Sequence, residues 1–203
     1  MRTSIAIEKS VRFYMPERRF RHTLGVKETA VRLAELHRCD AEKAAVAALL
    51  HDVARDMPLA RQQRLVSYGC PRFSCSSEVF RDPLLLHASA GSVLAREDFH
   101  VRDREVLRSI ELHTTGGPSM GVLEKVVFVA DFIEPGRRFG GVRRARALAL
   151  RDLDETVLYI FGITIRFLLE RNRYICERSL MGYNELVLQR RNGVGHGNTN
   201  QPN

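Results

Sequence analysis

The stretch AVAALLHDVARDMP, residues 45–58, constrains this chain more than any other. Ala44, Ala45, Ala47, Ala48, Leu49, Leu50, Val53 and Ala54 predict a helix over 41–55 that is apolar most of the way round, and such a helix belongs at the centre of a bundle. His51 and Asp52 interrupt it. An unpaired carboxylate buried there costs several kcal/mol, roughly, because the water it loses is not replaced. Asp52 therefore requires a partner.

Helical spacing shows where partners come from, because residues three, four and seven apart share a face. His22 shares its face with Val26, Ala30 and Leu33; His87 leads to Ala90, Gly91 and Leu94; His113 follows Val106 and Ile110. Asp131 follows Leu123 and Val127 on a strongly apolar segment. His37 ends the stripe that His22 begins, and it reads as a packed core histidine. Four histidines (His22, His51, His87, His113) and two aspartates facing inward exceed what hydrogen bonding satisfies, and a shared metal centre is the economical explanation. Imidazole and carboxylate ligands without thiolate suit Fe, Mn, Co or Zn in an open, catalytic site. Six ligands suffice for two ions if one carboxylate bridges.

The rest of the chain is organised around that centre. Its 203 residues are enough to bury a core without disulfides. Sparse glycine and proline separate periodic segments, which predict helices near 3–14, 19–38, 41–55, 58–68, 84–97, 102–113, 120–133, 151–171 and 177–191. The fold class is all-α, with one domain over 1–191: a core of about 19–135 and C-terminal helices over 151–191. CPRFSCSSEVFRDP reads as a loop, EPGRRFGG as a turn-rich connection, and the end NGVGHGNTNQPN, residues 192–203, as a disordered tail.

Cys39, Cys70, Cys75 and Cys176 show no CxxC pairing, which predicts reduced thiols in a cytoplasmic protein. No segment reaches the roughly 18 apolar residues of a membrane span, and Glu8 and Lys9 sit where a secretory leader would be apolar. The net charge of +8 favours an anionic partner. The arginines are spread along most of the helices, with no basic block interleaved with aromatics, which argues against nucleic acid.

The order His22, His51-Asp52, His87, His113, Asp131 resembles the H…HD…H…H…D signature of the HD-domain metal-dependent phosphohydrolases. Within that superfamily, RFRHTLGVKETAVRLAELH, AALLHDVARDMP, LLLHASAGSVLA, ELHTTGGPSM and LEKVVFVADFIEPGRRF are similar, in order, to the YqeK family of bacterial symmetrical diadenosine tetraphosphate hydrolases. The resemblance implies an HD-domain helical bundle with a dinuclear, typically di-iron centre. His22, His51, Asp52 and Asp131 would hold one ion, and His87 and His113 a second, with Asp52 bridging. It implies symmetrical cleavage of P1,P4-bis(5'-nucleosyl) tetraphosphates to two nucleoside diphosphates, and it leaves a homodimer open.

One departure stands out: the family usually has lysine three residues after the HD pair, and this chain has Arg55. Arg55 and Arg137 are the expected phosphate contacts, since each follows a ligand-bearing helix and offers paired donors. Thr114, Thr115 and Gly116 form a polar turn able to present hydroxyl and N–H groups to phosphate. Asp56 is a candidate to orient a neighbouring group or relay a proton, Glu134 to support metal-bound water or cap a turn, and Phe139 to stack on a base or pack against its neighbours. Within the superfamily a one-metal nucleotidase and a di-iron oxygenase are the competing enzymes; His87 and His113 argue against the first, the arginines against the second. A basic module binding a nucleotide or RNA is the non-enzymatic alternative, and the intact set of six ligand positions argues against it.

Overall fold

A computed structural model describes residues 3–69 and 76–195, and among them there are helices and turns but no strand. The helices are α1 (Ser4–Val11), followed by a 3-10 turn (Arg12–Tyr14), α2 (Glu17–Leu36), α3 (Ala41–Leu50), α4 (Leu59–Gly69), α5 (Ser77–Arg81) and α6 (Pro83–Glu97). They continue with α7 (Arg104–Leu112), α8 (Val122–Ile133), α9 (Val142–Ala149), α10 (Leu153–Leu169) and α11 (Glu177–Gly195). No helix is long and apolar enough to cross a membrane.

The central position predicted for 41–55 is observed. Every residue of α3 from Ala44 to Leu50 is buried, and α1, α2, α6, α7 and α8 all pack against it. Four of those seven residues are alanine. Side chains that end at Cβ let neighbouring helices approach from several directions at once, which larger residues at those positions would prevent. Helix starts are set by polar caps: the side chains of Asp40, Asp82, Asp103 and Asp152 accept from backbone N–H groups of α3, α6, α7 and α10. Pro83 follows the Asp82 cap at the first position of α6, where its missing N–H costs nothing.

The boundaries differ from the sequence reading in four places. Helix α3 stops at Leu50 and residues 51–56 form successive turns. The His51 ring causes the stop: its Nδ1 donates to the Ala48 carbonyl at 2.6 Å, the acceptor that the Asp52 N–H would otherwise use to continue the helix. Part of the expected loop after residue 70 is helical, because Ser76 caps the single turn of α5. Residues 70–75 of that loop lie outside the described residues.

Helix α9 was unexpected. Val142, Ala145 and Ala149 form its buried stripe, after Gly141 takes the left-handed conformation (φ 92°) that turns the chain into it. Finally, α11 runs four residues into the segment expected to be disordered, and 196–203 lie outside the described residues.

Candidate metal centre and phosphate cleft

The six predicted residues meet at the centre of the bundle. His22 comes from α2, His51 and Asp52 from the end of α3, His87 from α6, His113 from the end of α7 and Asp131 from α8. Asp52 is central: its Oδ2 lies 3.6 Å from His51 Nε2 and 3.9 Å from His22 Nε2, while its Oδ1 lies 3.2 Å from His87 Nε2 and 3.5 Å from His113 Nε2. One carboxylate thus turns one oxygen to each pair of rings. Asp131 Oδ1 completes the first side, 3.1 Å from His22 Nε2 and 3.9 Å from His51 Nε2.

Hydrogen bonds fix which ring nitrogen points inward. His51 Nδ1 and His113 Nδ1 donate to the carbonyls three residues back, Ala48 and Ile110, at 2.6 and 2.8 Å. A carbonyl only accepts, so the proton of each neutral ring resides on Nδ1 and Nε2 presents a lone pair to the cluster. His22 Nδ1 donates to Glu134 Oε1 at 3.2 Å, with the same consequence. Glu134, buried, reaches that ring because Gly25 on α2 has no side chain; a Cβ there would stand 3.0 Å from Glu134 Oε2. Two of these inward nitrogens, His22 Nε2 and His51 Nε2, are buried without a hydrogen-bond partner. On the His22–His51 side, lone pairs and carboxylate oxygens converge without an intervening ring proton, which is what a cation requires and a purely structural core avoids.

The charge balance agrees. Burial pushes the His51 imidazole down to about 4 and lowers that of His87 as well. Burial also opposes ionisation of Asp52 and Asp131, but the surrounding histidines outweigh it and hold both carboxyls below their usual range. Burial opposes protonation of His22 too; the adjoining Asp131 carboxylate outweighs it and raises that ring's pKa. Near neutral pH the centre therefore combines two carboxylates with neutral His51 and His87. Those two rings are in the state divalent ligation needs, whereas at His22 an ion competes with the proton that Asp131 favours.

A cleft of about 510 Å³ opens on the cluster and exposes Asp52, His87, His113 and Asp131 to it. Arg19, Arg55, Arg137 and Arg173 line its walls. Arg19 was not singled out in the sequence, although it lies three residues before His22 and so shares that residue's face of α2. It donates from Nη1 to Asp52 Oδ2 at 2.7 Å and grips Asp56 from Nε and Nη2 at 2.9 and 3.2 Å. Arg55 donates through Nη1 to the Leu84 carbonyl at 3.1 Å and to His87 Nδ1 at 3.2 Å. Arg137 is bound to Asp131, through both the carboxylate and, at 2.9 Å, the main-chain carbonyl.

Thr114 and Thr115 line the cleft, and the Thr114 hydroxyl lies 3.0 Å from His113 Nε2. At three positions the structure favours one of the two roles open in the sequence. Gly116 does not offer its N–H to the cleft: the Leu112 carbonyl takes it at 2.7 Å, the residue is buried against Phe161, and its φ of 59° serves to end α7. Asp56 is exposed, pairs with Arg19 and does not line the cleft, so it orients an arginine rather than relaying a proton. Phe139 packs edge-on against Phe132, with centroids 4.8 Å apart, and is also outside the cleft. His37 stands apart from the cluster, bonded to the Ala149 carbonyl at 2.7 Å.

Residues 19–136, from Arg19 through the turn that follows α8, match the HD domain family. This chain belongs to the HD domain family. An HD domain and the His/Asp cluster together point to divalent-metal binding. Among HD proteins it is 39% identical over 181 residues to the symmetrical bis(5'-nucleosyl)-tetraphosphatase of Halalkalibacterium halodurans, covering 89% of this chain and 95% of that one. It is 36% identical to the protein of the same name from Bacillus subtilis, covering 87% of this chain and 94% of that one. A solved structure of a predicted HD superfamily hydrolase involved in NAD metabolism from Clostridium acetobutylicum superposes with a TM-score of 0.88 at 36% identity, over 93% of this chain and 99% of that one. The all-α HD-domain fold expected from the sequence is the fold observed.

Proposed function

We propose that this HD-domain protein is a cytoplasmic, metal-dependent symmetrical bis(5'-nucleosyl)-tetraphosphatase, cleaving diadenosine tetraphosphate at its central bridge into two ADP. The observation that carries the reading is Asp52, whose two oxygens face two separate pairs of histidine nitrogens at the mouth of an arginine-lined cleft. The relatives that share most of the chain's length and bear that enzyme name supply the choice of substrate.

The residues suit a pair of ions. His22, His51, Asp52 and Asp131 would hold one, and His87, His113 and the other oxygen of Asp52 a second. His87 Nε2 and His113 Nε2 are 3.1 Å apart. Both nitrogens could therefore reach one ion once the proton between them is released. Iron is the metal we assign, with Mn, Co or Zn able to occupy the same nitrogen and oxygen donors. Bound there, the ions supply Lewis acidity, neutralising charge on phosphoryl oxygens and making water a competent nucleophile at neutral pH.

The protein's own groups do the rest. Arg55 and Arg137 present guanidinium N–H groups along the cleft, with Arg19 beside Asp52, and hold the polyphosphate in line. The Thr114 hydroxyl, next to His113, can donate to a phosphoryl oxygen or accept from water. Glu134 keeps the His22 proton on Nδ1 and so keeps the ligand lone pair facing inward. No side chain is required as a covalent nucleophile.

Product analysis tests the reading directly. Diadenosine tetraphosphate should yield two ADP, and metal analysis should find about two transition ions per chain. ATP plus AMP as products would place the cleavage elsewhere, and full activity in thoroughly chelated protein would overturn the mechanism.

A further inference from the structure

A tetraphosphate capped at both ends and cut at its middle bridge carries one nucleoside on each side of the scissile bond. The metal cleft accounts for the phosphates and is also lined by Leu168, Asn172 and Tyr174. A second cavity of about 350 Å³ abuts it, and Leu85, Thr115 and Cys176 line both, forming the ridge between them. Its size is within the range of small-ligand sites.

The lining of this cavity differs in kind from that of the cleft. Val79, Leu85 and Met181 provide apolar surface from α5, α6 and α11. Ser89 and Glu111 add polar groups, and the Glu111 carboxylate is held by Arg178 at 2.8 Å. Apolar walls with a hydroxyl and a carboxylate acceptor at the edge match a flat heterocycle whose rim carries N–H donors. An anionic phosphate is poorly served by this lining, in which two carboxylates, Glu111 and Glu177, face the single guanidinium of Arg178.

The connection to the reacting centre is short in sequence. Thr115 lies two residues beyond His113 and Leu85 two before His87, so the ridge is built from the same two chain segments that carry the second pair of histidines. The start of α11 divides its side chains between the two spaces: Ser179 lines the cleft, Arg178 and Met181 the second cavity. A polyphosphate leaving the histidines over Thr115 arrives there.

We infer that the cavity between α5, α6, α7 and α11 is the subsite for the second nucleoside of the substrate, binding its purine base between Leu85 and Met181 with Glu111 at the base edge. This rests on the tetraphosphatase reading. The test uses the metal-loaded enzyme and two variants away from the cluster, Met181→Ala at a half-exposed position and Glu111→Gln. Each should raise KM for diadenosine tetraphosphate about five- to tenfold with kcat little changed, because contacts to a remote part of the substrate are lost.

Inhibition by adenosine 5'-tetraphosphate, which has one nucleoside, should be unaffected by either substitution. Unchanged KM in both variants, or equal weakening of substrate and one-nucleoside inhibitor, would overturn the inference. If the wild-type enzyme fails to split diadenosine tetraphosphate at all, the parent reading has failed instead, and the two failures are separate. Should a variant lose its thermal transition, the wild-type crystal structure with the methylene-bridged, uncleavable analogue decides: the second adenine against Met181 supports the assignment, and its placement in solvent or wholly within the cleft defeats it.

Discussion

The two sides of the histidine cluster meet the same requirement, ring nitrogens facing a carboxylate, in different ways. On the side of His22, His51 and Asp131, both inward nitrogens are buried without a hydrogen-bond partner and two carboxylates crowd them. On the side of His87 and His113 the nitrogens satisfy one another. Arg55 only donates, so its contact at His87 Nδ1 leaves that ring's proton on Nε2, where it points to His113 Nε2 at 3.1 Å and Asp52 Oδ1 at 3.2 Å. The first side is incomplete without a cation. The second is complete as it stands, and an ion must displace a proton and a guanidinium contact to enter.

The largest expected effect removes what the two sides share. On the proposed two-ion reading, Asp52→Ala should lower hydrolysis by about a thousandfold or more, since each ion would lose a ligand and several kcal/mol of charge stabilisation with it. The fall should be accompanied by metal content below one ion per chain. A variant that retained two ions and normal turnover would show that the sides do not communicate through Asp52.

Next in size is the response of the metal-free protein to acid. With its imidazole pushed down to about 4 by burial, folded His51 resists a proton that the unfolded chain accepts near 6.5. Its contribution is therefore present above about pH 6.5 and is lost as pH falls toward 4, by roughly 3 kcal/mol in all. His87 is shifted in the same direction and adds to the loss. His22, raised beside Asp131, runs the other way: it favours the folded state at low pH, and this benefit fades as pH rises through its folded value. Urea midpoints of chelated protein across pH 4 to 7 would measure the sum, and a flat profile would contradict the buried, neutral state assigned to His51.

Much of this centre could be read from the sequence, and the exceptions have physical causes. His22, His87, His113 and Asp131 were legible because each falls on an apolar stripe at helical spacing, where a titratable group is conspicuous. Arg19 was not: its neighbours gave no such contrast, and only the fold brings it against Asp52. The end of α3 was hidden because Val53 and Ala54 stay buried after the helix has stopped, so the apolar pattern continues while the backbone turns. Helices α5 and α9 escaped because one or two turns give too short a period to detect. Gly116 looked like a donor to phosphate because sequence records a residue's N–H but not the Leu112 carbonyl that claims it.

The asymmetry also predicts two unequal steps in a metal titration of the chelated protein. The orphaned side should fill first, and the second ion should bind at least about tenfold more weakly, since support or opposition from groups behind a ligand commonly changes affinity by ten- to a hundredfold. His51→Ala should abolish the tight step and His87→Ala the weak one. A single step of two equivalent ions would remove the distinction between the sides.

The smallest effect is the most diagnostic, because it changes sign between two measurements. Arg55→Lys replaces a planar fork that reaches both the Leu84 carbonyl and His87 Nδ1 with a compact ammonium on a flexible stem. Once His87 Nδ1 is no longer occupied by a fixed donor, it can take the ring proton and present Nε2 as a lone pair, so the second ion should bind roughly three- to fivefold more tightly. Substrate should bind more weakly by a similar few-fold factor, because the paired guanidinium donors to phosphate are gone. If Arg55 served only as a phosphate contact, KM would rise and the metal titration would not move. If it served only to hold His87, the titration would shift alone. Opposite shifts in the two would place Arg55 at the junction of both roles, set against the second pair of histidines until phosphate draws it away.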